Sequence, residues 1–336
     1  MEQPDAGLDS WITTGDLDEL LREIDRRCDR GDWDGLVTLR DRARSADERG
    51  HQLWPAASFA EYRMALSAPA PWAAVAVRGG GYLAAGPLTE VVAQHHTWSE
   101  LEPELGGGPT RDHVAQERVL RGEDLGVSPI GELPGRLLAW EPAYALAEYH
   151  ADGTARFPAP APITMTERVR GERRAPAPDA VDGTTALEDV ARHWVTHSEG
   201  RVRAAGVEGT AADAVATVHD GAVRWAQVSP ADAVALLAWS AASGGARGRR
   251  RGAATGRFEA WWALAVLTAQ DDDWPVDPGP AAEELRWWVW TPDEVPVGWI
   301  CRLAVEDPVD GLAWALDASD HPPIPASNGF VARMER

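Results

Sequence analysis

The sequence predicts an α+β protein, in which an N-terminal all-helical domain is followed by a C-terminal domain of helices packed on an antiparallel sheet. Two observations support this fold class. Apolar residues recur at helical spacing through the first third of the chain, and runs rich in β-branched and aromatic residues follow one another near its end. A length of 336 residues exceeds what one ordinary core covers, which favours two domains.

The composition predicts where these domains begin and end. We expect a helical bundle or short solenoid over residues 1–125, because its helix-to-helix connections are short. Residues 126–183 are rich in proline and charge, which is typical of a connector, and an Asp-Gly turn within them is a candidate hairpin. Residues 184–320 are expected to form the α+β domain, and residues 321–336 a tail.

The helical domain is predicted from its start and stop signals. Asp16 precedes an apolar face that begins at Leu17, and the sequence Arg-Gly-Asp at 30–32 ends that helix. Similar signals predict further helices at 33–49, 52–67, 86–96 and 106–124.

The C-terminal domain mixes helices and strands. Helices are predicted at 185–198, 230–242 and 255–269, and a strand at 222–228. Three later strands, at 284–290, 297–305 and 311–318, are separated by short turns. Short connections join antiparallel neighbours, so these three strands are expected to form a meander.

Charge and composition exclude several classes of function. The chain has a net charge of -21, which disfavours general nucleic-acid binding because a duplex would repel it. It contains no lysine, which excludes a P-loop, a Schiff-base enzyme and a kinase-type phosphate lysine. We expect a cytoplasmic protein that does not bind a membrane, since no signal sequence or apolar span is found and the two cysteines suit buried thiols.

The main candidate site is an arginine-rich loop, which precedes an apolar helix. Its glycines allow close approach of the backbone, Thr255 is a candidate helix cap, and arginine suits phosphate or carboxylate groups. The predicted anion-binding residues are Arg247, Arg249, Arg250, Arg251, Thr255 and Arg257. Alternatively, the loop is solvated or pairs with acidic residues of the chain itself.

A second candidate follows the same helix. Asp271, Asp272 and Asp273 could position a metal ion or a water molecule, although three carboxylates in sequence also suit a solvated helix end. Two further groups could bind a metal. Asp189, His193 and His197 share one helix face, which a polar, solvated surface explains more simply. A hydrogen-bonded core histidine with surface residues explains the other group equally well, namely His95, His96, His113 and Glu117. No cofactor and no dedicated metal site are predicted, because no cysteine pair, GxGxxG or GxSxG motif is present.

The sequence leaves the function unknown, with three hypotheses. The leading one is a binding protein whose arginine loop engages an unknown protein or a small anionic ligand. The second is an enzyme that acts on a phosphorylated or carboxylated small molecule, which requires the loop and the three aspartates to face one cleft. The third is a structural scaffold, which requires that the loop pairs internally.

Overall fold

The structure is a computed structural model that describes residues 6–78, 85–293 and 297–321. The predicted tail therefore lies outside the described residues, apart from His321.

The first part of the chain, termed here the helical region, is built of helices only. Among the described residues these are α1 Ala6–Thr14, α2 Leu17–Arg30, α3 Trp33–Glu48, α4 Trp54–Ser67, α5 Ala70–Arg78, α6 Leu88–Val92, α7 Trp98–Leu105 and α8 Pro109–Leu120. The Asp16 side chain accepts a hydrogen bond from the Glu19 N–H and so caps α2, as its position predicts. One buried cluster, which includes Leu20, Leu36 and Leu101, forms the core of this region.

The middle of the chain is extended and packs against both the helical region and the C-terminal part of the chain. It contains two short hairpins and one strand, namely β1 Pro129–Ile130 with β2 Leu133–Pro134, β3 Glu148–Tyr149 with β4 Ala155–Arg156, and β5 Glu167–Val169. Tyr149 joins the core of the helical region, whereas Trp140 and Ile163 pack against the C-terminal core.

The last part, termed the sheet region, has a six-stranded antiparallel sheet in the order β5-β7-β8-β9-β10-β6. Its further elements are α9 Val181–Thr196, β6 Arg201–Glu208, α10 Ala211–Val218, β7 Val223–Val228, α11 Pro230–Ala242, α12 Ala253–Leu267, α13 Gly279–Ala282, β8 Arg286–Thr291, β9 Trp299–Asp307 and β10 Leu312–Asp320. One face of the sheet packs against α9, α11 and α12 around Trp194, and the other against α10 around Val207.

The predicted fold class is confirmed: helices precede an antiparallel sheet with helices packed on it. The predicted meander is formed by β8, β9 and β10. Helices α1, α5 and α7, strand β6 and helix α10 were not predicted. Two prolines close to the start of α5 obscure this helix in the sequence, but Pro71 lies in its first turn, where the N–H that proline lacks would have no partner within the helix.

Helices α11 and α12 cross closely at Gly256. A Cβ atom at that position would lie 2.2 Å from the carbonyl oxygen of Ala238 in α11. Helix propensity alone would favour alanine over glycine by about 1 kcal/mol. The contact with backbone opposes this preference, because neither helix can move without disturbing the core.

We expect Gly256→Ala to lower the free energy of unfolding by about 1–3 kcal/mol, because the added methyl group overpacks the crossing. Chemical denaturation measures this change. Gly107→Ala is the control, since a Cβ atom at Gly107 meets nothing within 4 Å. A stabilised Gly256→Ala protein would show that propensity, not the crossing, governs this position.

Candidate functional site

The arginine loop, residues 243–252, joins α11 to α12 and lies between the sheet region and the helical region. Gly252 forms the N-cap of α12 with φ of 101°, a backbone conformation that other residues rarely adopt. A Cβ atom there would also lie 2.9 Å from the ring of Pro87. Helix α12 begins at Ala253, so Thr255 lies inside the helix and does not cap it; its hydroxyl donates to the Arg251 carbonyl oxygen at 3.3 Å.

Arg250 forms a buried, two-point ion pair with Glu90 at the start of α6. Its Nε and Nη2 atoms each lie 2.8 Å from one carboxylate oxygen, and the two side chains are only 5% and 0% exposed. Tyr149 donates a further hydrogen bond to the same carboxylate at 2.7 Å. Two-point pairing of this kind fixes direction as well as distance.

The N-terminus of α12 already binds carboxylates. The N–H of Ala254 donates to Glu117 of α8 at 2.7 Å, and the N–H of Ala253 donates to Glu90 at 3.3 Å. Free N–H groups at a helix N-terminus favour a negative charge, which was the basis for predicting an anion there. The anions that meet these groups are glutamates of the helical region.

Arg257 is fully buried and all five of its N–H donors have partners. Two bonds, of 2.8 and 2.7 Å, reach the Glu141 carboxylate, and Gln116 accepts a third. The carbonyl oxygens of Pro134 and Arg136 accept the remaining two at 3.1 and 2.9 Å. A guanidinium offers five donors, so this side chain has no bonding capacity left for a ligand.

These contacts define a central ion-pair cluster between the helical region and the sheet region. It consists of Glu90, Glu117, Arg121, Glu141, Arg250 and Arg257. Burial raises the pKa of Glu117 to about 7, and the neighbouring Glu90 charge adds to this, although Arg121 opposes it. Burial would also raise the pKa of Glu90, but Arg250 outweighs it and holds that pKa below its usual value.

The other predicted residues of the loop lie outside this cluster. Arg247 is exposed and pairs with Glu199, while Arg251 pairs with Glu259 at 2.9 Å. Arg249 is exposed. Binding of an external anion by the loop stays a prediction, and at Arg250 or Arg257 it would require displacement of a buried carboxylate.

The three aspartates lie at the other end of α12. Asp271–Asp273 form a 3-10 turn after the helix, whereas the loop precedes it. A helix of 15 residues separates the two groups, which at about 1.5 Å per residue is roughly 22 Å. The structure therefore places the arginine loop and the three aspartates at opposite ends of α12, and the enzyme hypothesis, which requires them to face one cleft, stays a prediction.

The histidine groups do not assemble a metal site within the described ranges. No set of three or more His, Cys, Asp or Glu side chains there could hold a metal ion. His193 and His197 stack at 4.9 Å, and Asp189 pairs with Arg192. Both cysteines are free thiols, and no helix of the described chain is long and apolar enough to cross a membrane.

A further site, which sequence reasoning missed, lies along the outer edge of strand β6. It is a cavity of about 730 Å³, termed here the β6 cavity, and it extends between α9, the end of α10 and the segment at Arg173. Arg201 and Arg203 line it, and neither has an acidic partner among the described residues. The alternation of Arg201, Val202 and Arg203 was the available signal, but the alanines and glycine that follow weaken it.

Removing one partner of the central cluster should cost far more than removing an exposed arginine of the same loop. Arg257→Gln leaves the Glu141 charge buried without its partner, so we expect a loss of about 3–5 kcal/mol in the free energy of unfolding. Arg247→Gln, whose ion pair is exposed, should cost at most about 1 kcal/mol. Chemical denaturation of both variants tests this, and similar losses would contradict it.

Glu117 should make stability depend on pH. Its pKa is raised in the folded state, so between about pH 4.5 and about pH 7 the folded protein holds a proton that the unfolded chain has released. Its contribution to the free energy of unfolding is therefore lost as the pH rises through this window. We expect the wild type to lose stability relative to Glu117→Gln between about pH 4.5 and about pH 7.

Thermal or chemical unfolding of both proteins across this range measures the difference, with Glu283→Gln as the exposed control. The control curve should run parallel to the wild type. A parallel curve for Glu117→Gln would refute the raised pKa.

Comparison with known proteins identifies the family of the chain. No curated protein and no solved structure matches the chain. A family model described as a family of unknown function (DUF6183) matches residues 18–321, which spans both the helical region and the sheet region. The chain therefore belongs to this family, whose function is unknown.

Proposed function

We propose that this protein is a binding protein, and that it takes up a short, extended, acidic segment of a partner at the open edge of β6. The observation that carries the proposal is the combination, in one cavity, of unpaired arginines with backbone groups of an edge strand. Addition of a strand to an exposed sheet edge is a common way to bind a peptide.

The edge of β6 is open at one end only. The Ala177 N–H donates to the Gly206 carbonyl oxygen at 2.9 Å, so the segment at Pro176 covers one half of the strand. The Glu188 carboxylate accepts from the Ala204 N–H at 3.2 Å, which places the polar groups of Ala204 on the outer edge. The backbone N–H and C=O groups of successive residues point to opposite edges of a strand. Val202 is two residues from Ala204, so its backbone groups also point to the outer edge.

Val202 therefore offers an N–H and a carbonyl oxygen, and Ala204 offers a carbonyl oxygen. No residue within the described ranges forms a hydrogen bond with these backbone groups. Unpaired backbone groups at a sheet edge are a template for another strand. The open part is short, which suits a segment of roughly four residues at about 3.3 Å per residue.

The charges beside this edge favour a carboxylate. Arg203 lies opposite Asp317 on β10, and Asp317 is already paired with Arg302 at 2.7 Å. Arg173 pairs with Asp220, and Glu188 is held by the Ala204 N–H. Two of the three acids that line the cavity are thus paired with arginines, and Glu188 keeps its charge beside a neutral N–H. Arg201 donates only to the Ser319 hydroxyl, and Arg203 has no acidic partner among the described residues, so two arginines face one unpaired carboxylate.

The two arginines also predict the pattern of the ligand. Arg201 and Arg203 point to the same face of the sheet because they are two residues apart. An added strand should therefore carry acidic side chains at alternate positions on that face. Its other side chains would meet Thr184 and Thr185 of α9, which suit small polar groups.

A labelled pentapeptide, acetyl-Thr-Glu-Thr-Glu-Thr amide, tests this proposal by fluorescence polarisation. We expect saturable binding that is about tenfold weaker in the Arg201→Gln, Arg203→Gln double variant, a change of about 1.4 kcal/mol. Arg224→Gln is the matched control, because Arg224 is an exposed arginine on β7, near the opposite edge of the sheet.

Two altered peptides separate the parts of the proposal. A peptide with glutamine in place of glutamate should bind about as weakly as the wild-type peptide binds the double variant. A peptide that is N-methylated along one edge should lose binding, because it cannot pair with β6. If the N-methylated peptide binds unchanged, strand addition is wrong, and if none of the peptides binds, the proposed function fails.

A further inference from the structure

A second cavity lies where the helical region meets the sheet region. It has a volume of about 380 Å³ and is enclosed by the start of α8, the hairpin of β1 and β2, and the first turns of α12. We term it the α8–α12 cavity. Binding sites for small molecules are often found between domains and have volumes of about 300–1,000 Å³.

The walls of this cavity are largely apolar. Ile130 and Leu133 come from the hairpin, and Ala254 and Phe258 come from α12. The Phe258 ring is held in an edge-to-face contact with Trp274, with their centroids 5.8 Å apart. A ring-sized apolar group could therefore be buried here against walls that other contacts hold in place.

Gln116 lines the cavity but has no hydrogen-bond donor left for a ligand. Its amide nitrogen donates to the carbonyl oxygens of Ile130 and Leu133 at 2.9 and 3.1 Å, and its oxygen accepts from Arg257. An amide nitrogen has two hydrogens, so both are used.

The other polar side chains that line the cavity can still accept a hydrogen bond from a ligand. The Nδ1 atom of His113 lies 2.8 Å from the Pro109 carbonyl oxygen, which can only accept, so Nδ1 carries the proton. In the neutral ring the Nε2 atom is then an acceptor. The Thr255 hydroxyl uses its hydrogen on the Arg251 carbonyl, so its oxygen also accepts.

Two carboxylates complete the rim, and no arginine is among the lining residues. Glu132 accepts from the Trp274 indole N–H, which is neutral and leaves the carboxylate charge in place. Arg111 reaches Asp112 only at 3.8 Å and pairs more closely with Glu102. The cavity therefore offers apolar walls, side-chain acceptor atoms and two carboxylates, whose negative charges counter the positive ends of α8 and α12.

We propose that the α8–α12 cavity binds a small organic cation, namely a primary amine on a ring-sized apolar body. The ammonium group would supply the hydrogens that these acceptors lack, and the ring would occupy the space beside Phe258. The proposal is independent of the β6 cavity, since the two cavities share no residue.

Calorimetric titration with three matched probes tests the charge requirement on the wild-type protein. The probes are 2-phenylethylamine, 2-phenylethanol and 3-phenylpropionate, which share the ring and differ in the polar group. We expect the amine to bind saturably and at least tenfold more tightly than either of the others. Equal affinity for amine and alcohol would overturn the proposal, as would the absence of saturable amine binding at millimolar concentrations.

Substitutions at the rim test whether the amine binds in this cavity. The Asp112→Asn, Glu132→Gln double variant should bind the amine about tenfold more weakly, while Glu283→Gln, Glu284→Gln removes two exposed acids elsewhere and should leave affinity unchanged. The Asp112→Asn, Glu132→Arg variant should reverse the preference towards 3-phenylpropionate. Equal losses in the rim variant and the control, or no reversal, would show that amine binding does not use this cavity.

Discussion

The pairing of Arg257 with Glu141 is the interaction on which the arrangement of the helical region and the sheet region depends. Removing either charge from water costs several kcal/mol, and the attraction of the pair offsets this only with good geometry and with partners for every remaining donor. Arg257 meets that condition, since all five of its N–H groups are bonded. Its partners come from α8 and from the segment that follows, so α12 can meet them in one orientation only.

Around this pair, the central cluster brings three arginines and three glutamates together. A buried cluster of this kind is weak evidence for added stability, because apolar side chains of similar size often do as well. The effect of the cluster on geometry is direct, because its bonds join the two regions at fixed positions. The two-point contact of Arg250 with Glu90 and the bonds from the start of α12 to Glu90 and Glu117 all set how the two regions meet.

The local pattern of the sequence was enough to predict most of the elements, but not the contacts between distant ones. Asp16 caps α2 at the position that the sequence predicted, and the meander of β8, β9 and β10 follows from its short turns. Strand β6 was missed because Ala204, Ala205 and Gly206 have little intrinsic strand preference. The strand forms because β10 pairs along its whole length. The arginine loop was recognised as unusual, but its partners Glu90 and Glu141 lie 160 and 116 residues away, a separation at which no spacing rule operates.

The pairing of arginines with acids also distinguishes the three candidate ligand sites, which are the arginine loop, the β6 cavity and the α8–α12 cavity. In a chain of net charge -21, an arginine is available to a ligand only where the fold keeps acids away from it or occupies them elsewhere. Arg250 of the loop and Arg257 of α12 fail this condition, since buried carboxylates already hold both. The β6 cavity meets it more nearly, because Asp317 is held by Arg302 and Asp220 by Arg173, which leaves Glu188 as the one lining acid without an arginine partner among the described residues. The α8–α12 cavity is the opposite case. Arg257, which lies behind Gln116, is paired with Glu141, and the carboxylates of Asp112 and Glu132 stay at the rim of the cavity. Opposite ligand charges at these two cavities therefore follow from one distribution of arginine partners.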